Sequence, residues 1–229
     1  MSADKTPDEV RQKYIQTMDE GLGEFFYILW NELAWLYLKW NEYIELFNTK
    51  PSRIDLMNRT AGQFFQIVND ALLGDCLLHI AQLTDSKKSG GQRNLTILRL
   101  PERIKDTNLK GQIKKLISIA EKEVKPCIDL RNKLLAQKDL DVALGTRVEP
   151  LEPPSRDKIE NALKSIADVL NAISVYYTKS PFRYEYSKTI QGAYELLDVI
   201  DDGLRAKEER KKRIEACKPL PEDIQARDI

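Results

Sequence analysis

Three features point to an all-α protein, a helical bundle of five to six long helices. Apolar residues recur at intervals of three and four along most of the chain, no stretch alternates long enough to make a strand, and capping residues stand where the apolar stripes begin. Thr6-Pro7-Asp8-Glu9 reads as a capping box with proline at the first helical position. The helix entering there is expected to pause at Gly21 and Gly23 and to resume through FFYILWNELAWLYLKWNEYIELF. In that stretch Leu29, Leu33, Leu36, Trp40, Tyr43 and Phe47 form one continuous face, which Trp30, Trp35 and Tyr37 widen. Such a helix is either central in a bundle or also buried against a second chain.

A turn at 48–51 leads to a third helix, with Ser52 as its expected cap and Ile54, Met57, Ala61, Phe65, Val68, Leu72, Cys76 and Ile80 as its buried stripe. Residues 85–94, DSKKSGGQRN, read as a mobile loop, and LTILRL after them as a short amphipathic piece ending before Pro101. The next helix is expected from about Leu109 to Lys138, kinked at Pro126. An irregular stretch over 139–154 ends in Pro153-Pro154, and Ser155 then caps a helix striped by Ile159, Leu163, Ile166, Leu170, Ile173 and Tyr177. A last helix is expected from Ser187 past Leu204. Residues 1–217 are thus read as one domain and 218–229 as a flexible tail.

Composition narrows the class of function. Hydrophobic residues make up 42% and charged residues 31%, as in a globular domain. The net charge is zero, so any nucleic-acid binding has to come from local patches. Cys76, Cys127 and Cys217 are odd in number, far apart and without metal-ligand spacing, which suits a reduced cytoplasmic setting. The polar opening MSADKTPDEV has no apolar core of the kind a signal peptide needs. The apolar stretch 25–47 carries Glu32, Lys39, Glu42 and Glu45, each costly at a bilayer centre, so no membrane partner is expected. The chain has no glycine-rich phosphate loop, metal-ligand box or nucleophile elbow, so neither a metal nor another cofactor is expected.

One helix breaks its own pattern. Its stripe reads Ile113, Ile117, Ala120, Val124, Cys127, then Arg131, Leu134 and Lys138, so two cations fall on the face that should be apolar. An unpaired guanidinium in a low-dielectric interior is costly. Arg131 is therefore expected to meet a carboxylate (Asp129, Asp139 or one from another helix) or to bind an anion, for which its planar fork suits phosphate.

The segment IDLRNKLLAQKDLD, residues 128–141, resembles the signature of the HEPN superfamily, an arginine usually followed by asparagine with a histidine five to seven residues on. It is closest to the type U abortive-infection proteins of bacterial phage defence, whose pattern is matched by Arg131, Asn132, Lys133, Ala136 and Asp139. The segment LLHIAQLTDSKKSGGQRNLTILRL, residues 77–100, resembles the same family in its Leu-Thr-Asp turn and Asn-Leu-Thr opening. The resemblance implies a helical fold, often a homodimer, with two signature helices side by side in a composite cleft. It also implies metal-independent ribonuclease chemistry, in which a ribose 2′-hydroxyl attacks the adjacent phosphate. Expected partners are a second copy of the chain, RNA and a cognate protein, as in a toxin–antitoxin arrangement.

This chain departs from the signature in one respect: the histidine is absent, and Ala136, Gln137 and Lys138 occupy its allowed positions. The candidate site is therefore Arg131, Asn132, Gln137 and Lys138, with Arg131 as the cation, Gln137 as a hydrogen-bond donor unable to shuttle protons, and Lys138 as a charge or acid. His79, the chain's single histidine, is either a core residue bonded to a carbonyl or a substitute proton carrier. Two basic segments, Arg103 to Lys115 and 205–213, read as solvated faces, and Tyr14, Phe25 and Trp30 as core. The competing functions are a catalytically inactive interaction module and a small-molecule-binding bundle with Trp30, Trp35 and Trp40 around a pocket.

Overall fold

The computed structural model describes residues 6–136, 155–187 and 189–225, with the side chains of Glu20 and residues 133–136 left aside. The described chain is all-α apart from one two-residue hairpin. Its helices are α1 (Pro7–Met18), α2 (Glu20–Phe47), α3 (Pro51–Thr84), α4 (Leu100–Arg103), α5 (Thr107–Glu123), α6 (Lys125–Ala136), α7 (Arg156–Thr178), α8 (Ala193–Glu215) and α9 (Pro221–Ile224). Contacts divide it into two compact units, one of residues 1–40 and 72–187, the other of residues 41–71 and 188–229.

In the first unit α1 starts as its sequence dictates. Thr6 Oγ1 accepts the Glu9 N–H, and the Glu9 carboxylate accepts the Thr6 N–H. The chain then breaks at Asp19, earlier than the glycines suggest. Asp19 takes a positive φ of 71° and its carboxylate accepts the Leu22 N–H, so it caps α2. Gly23 lies within α2 because α1 crosses so closely that a Cβ there would meet the Tyr14 carbonyl oxygen at 2.4 Å. Phe26, Leu29, Leu33 and Leu36 are fully buried along α2, and Leu77 and Ile80 along α3. α5 runs along α7, which α6 and α1 also touch. Ile113 and Ala120 of α5 meet that core, as do Ile166 and Ile173 of α7, each 0% exposed.

The break between α5 and α6 falls at Val124, two residues before the proline. Pro126 has no N–H to give the carbonyl of Lys122 and its ring crowds that carbonyl, which ends one helix and starts the next. Pro101 behaves differently from expectation. It stands in the first turn of α4, where a missing N–H costs nothing, after a 3₁₀ turn at Ile97–Arg99. Ser155 occupies the cap position of α7 without a side-chain cap bond.

The segment 85–94 is built rather than loose. Lys88–Ser89 pairs antiparallel with Gln92–Arg93 around Gly90 and Gly91. Those glycines have φ of 55° and 82°, the paired positive values of a two-residue type I′ turn. The Asn94 amide donates to the Ser86 carbonyl at 2.8 Å, and the buried Thr96 hydroxyl donates to the Leu83 carbonyl at 3.1 Å. Arg99 donates to the carbonyls of Asn94 and Lys87. The Leu-Thr-Asp and Asn-Leu-Thr residues thus fasten the two ends of the hairpin.

In the second unit α3 begins at Pro51, so Ser52 lies inside the first turn and is not the cap. Its backbone leaves helical geometry at Ala61 (φ −156°, ψ 59°), which turns Ala61 outward while Met57 and Phe65 stay buried. α8 starts at Ala193, later than Ser187, because a carboxylate from α2 fixes its first turn: Glu42 Oε2 accepts the Ala193 N–H at 2.5 Å. Glu42 also accepts from the Thr189 hydroxyl. Met57, Phe65, Ala193 and Leu197 are buried in this unit. α9 is held to α8 by a two-pronged ion pair, Arg213 Nε and NH2 to Asp223 at 2.8 and 2.7 Å. By length and composition α3 passes for a membrane span, at mean hydropathy 1.2, yet it carries Asp70 and Asp75.

Candidate functional site

The α6 stripe shifts by one residue after the proline. Cys127 and Leu130 are buried, at 0% and 4% exposed, and Arg131 sits half-buried at the margin of that face. This removes the conflict raised by the spacing: the guanidinium is at the edge of the core rather than in it. Asn132 is exposed beside it.

Arg131 folds back on its neighbour. Its Nε and NH2 donate to Asn132 Oδ1 at 3.2 and 2.7 Å. Among the described residues no carboxylate stands within 4 Å of the guanidinium, so the ion pair with Asp129 does not form. Asp139, Gln137 and Lys138 lie outside the described residues. A neutral amide oxygen fixes one edge of the fork without cancelling its charge, and among the described residues nothing else is bonded to the NH1 edge, a donor pair of the kind an anion takes. Cys127, one turn earlier, is no nucleophile: burial pushes its thiol up to about 11, so it stays protonated.

His79 belongs to a different cluster in the first unit. Lys39 Nζ lies 3.1 Å from its Nδ1 and is also paired with Asp75. An ammonium only donates, so Nδ1 is the acceptor and the ring proton is on Nε2. Glu32 Oε2 lies 2.9 Å from Nε2 but off the N–H direction, so this contact is electrostatic and Nε2 lacks an aligned acceptor. Burial and then the Lys39 charge lower the imidazole pKa, while Glu32 opposes them. His79 is therefore neutral near pH 7, and its partners are charged side chains rather than a backbone carbonyl. None of those partners is a signature-helix residue. Sequence reasoning missed the cluster, although the i, i+7 pair Glu32 and Lys39 on one face of α2 foreshadows it.

Several of the remaining sequence candidates have structural roles. Tyr14 is core, and Arg103 stacks 3.9 Å over the Phe25 ring. Lys105 pairs with Asp19, and Arg205, Lys211 and Arg213 each pair with a carboxylate. The three tryptophans do not share a pocket. Trp30 packs 5.0 Å from Phe182, Trp40 is 3% exposed, and Trp35 is 59% exposed.

Comparison with known families adds one match. The family model described as AbiU2, of the HEPN group, covers residues 19–192, which include Arg131, Asn132 and the hairpin. No curated protein and no solved structure matches the chain. With three quarters of its length matched and the helical fold in place, the chain belongs to the AbiU2 family of HEPN proteins, the type U abortive-infection group.

Proposed function

We propose that the protein is a phage-defence HEPN protein whose signature helix presents Arg131 to an RNA phosphate, in a degenerate site completed by Asn132, Gln137 and Lys138. The observation that carries this reading is the half-buried Arg131 guanidinium, oriented by a neutral amide and unpaired with any carboxylate among the described residues. In the proposed reaction the ribose 2′-oxygen bonds to phosphorus and the bond to the 5′-oxygen breaks, leaving a 2′,3′-cyclic phosphate and a 5′-hydroxyl. With no histidine in the signature, solvent water takes the 2′-hydroxyl proton and returns one to the leaving 5′-oxygen. Arg131 neutralises the charge that builds on the equatorial oxygens, and Asn132 holds the guanidinium in place. Gln137 supplies a hydrogen bond but moves no proton, so cleavage is slowed by roughly 10²–10⁴-fold relative to a site with histidine.

The site acts in the cytoplasm as a homodimer, in which a second copy covers the exposed Trp35 and Ile28 of α2, at 59% and 40%. A cognate antitoxin-like protein would restrain it. The competing reading, an interaction module that kept the scaffold, draws on the same missing histidine.

The test incubates the purified protein with total bacterial RNA in chelator, beside Arg131→Ala and Gln137→His, and maps the new ends. The expected result is weak cleavage to 2′,3′-cyclic ends, abolished by Arg131→Ala and raised about 10²–10⁴-fold by Gln137→His. No product from the wild type and none from Gln137→His would overturn the proposal and leave the interaction module.

A further inference from the structure

The hairpin after α3 places like charges opposite each other. Lys88 and Arg93 are register partners, one rung beyond the Ser89–Gln92 pair that closes the turn. The Asn94 N–H donates to the Lys87 carbonyl at 3.1 Å, so the Lys88–Arg93 rung is the non-hydrogen-bonded kind, where side chains approach most closely. Their Cβ atoms are then about 5 Å apart on one face, a pairing that destabilises a sheet when both carry the same charge. Both side chains are exposed, and among the described residues neither has a carboxylate within 4 Å. The neighbouring Lys87, by contrast, is paired with Glu102.

A two-stranded ribbon this short has no stability of its own. The fold holds it by other means: the glycine turn, the Ser86 hydroxyl on the Lys88 carbonyl at 2.8 Å, the Asn94 amide and the Arg99 fork. A repulsive rung kept in a fixed geometry is what a bidentate anion relieves. A Cβ at Gly90 or Gly91 would meet nothing within 4 Å, so the tip is open to a large ligand.

We propose that the Lys88–Arg93 rung is a phosphate-backbone contact for single-stranded RNA, a second anchor on the substrate of the site proposed above, on whose reading it rests. It reads charge and not sequence, since the rung offers two cations and no ring to stack on a base.

The test measures binding of a labelled 2′-O-methyl polyuridine oligonucleotide, which the protein is unable to cleave, by fluorescence anisotropy across a salt series. Removing this bidentate phosphate contact in Lys88→Gln/Arg93→Gln is expected to weaken binding about tenfold at low salt and to reduce the slope of log K against log salt by about 0.7. A second variant, Arg93→Glu, turns the rung into an ion pair. It is expected to raise amide-exchange protection in the hairpin while weakening RNA binding, opposite movements that a merely structural pair does not produce. Unchanged affinity and slope in both variants would overturn the anchor, as would a wild type that fails to bind the oligonucleotide. The cleavage assay with Arg131→Ala reads the signature helix separately: normal hairpin dependence with a silent Arg131→Ala would sink the catalytic reading and leave the anchor standing.

Discussion

Replacing Gly23 by alanine tests how tightly α1 is set on α2. The added Cβ would lie 2.4 Å from the Tyr14 carbonyl oxygen, 2.6 Å from its carbon and 2.7 Å from Ile15 Cα. All three are backbone atoms, so no rotamer change relieves the contact and α1 has to move away. What α1 brings is the burial of Tyr14 and Met18, 4% and 1% exposed, with Tyr14 set 5.1 Å from the Phe26 ring. Burying two such side chains is worth roughly 3–6 kcal/mol at most. Against this, alanine in place of a helical glycine gains about 1 kcal/mol. The clash wins, and the variant should be less stable by about 2–5 kcal/mol, read as a lowered urea midpoint, with a slope that falls to the extent that α1 leaves the core. Gly21→Ala is the control. Its nearest atom would be Asp19 Oδ1 at 3.9 Å, an ordinary contact, so only the helix-propensity gain should remain. A Gly23→Ala protein that unfolds at the wild-type urea concentration or above would refute the close crossing of α1 and α2.

Two further outcomes follow from charged side chains. The folded-state pKa of His79 is depressed by burial and Lys39, so between it and the unfolded value near 6.5 the unfolded chain binds the extra proton. Stability should thus be full above pH 7 and fall as pH drops below about 6.5, by at most about 1.4 kcal/mol per unit. Because no other histidine titrates there, His79→Gln should flatten urea midpoints between about pH 5 and 7, and an equally steep profile in that variant would exclude the cluster as the cause. Glu42→Ala removes the acceptor of the Ala193 N–H and of the Thr189 hydroxyl. It should cost about 1–2 kcal/mol and deprotect the first turn of α8 in hydrogen exchange, with Glu42→Gln recovering part of the loss; unaltered exchange in Glu42→Ala would show that the cap contributes nothing.

Local chemistry was legible in the chain wherever both halves of an interaction lie a few residues apart. Thr6 and Glu9 form their reciprocal cap, Pro126 splits its helix, and the stripe from Ile159 to Ile173 is buried as its spacing requires. What escaped depends on partners far along the chain. Position 23 takes glycine because the Tyr14 backbone crosses it closely, α8 starts where Glu42 reaches it across 151 residues, and His79 finds Lys39 on another helix. Pro101 misled because the same ring ends one helix and begins another, and only the chain before it decides which. The signature singles out Arg131 and Asn132 as candidates but not their mutual bond, since adjacent residues on a helix point apart and only a long side chain can fold back.

The matched stretch stops at 192, one residue short of the N–H that Glu42 holds. A fragment trimmed to that limit would keep a half-buried carboxylate and discard the helix end that offsets its charge. It would also uncover whatever Ala193 and Leu197 now shield. Kinship and foldability therefore set different limits on this chain, and a shortened version needs 193–215 before any loss of function can be assigned to chemistry.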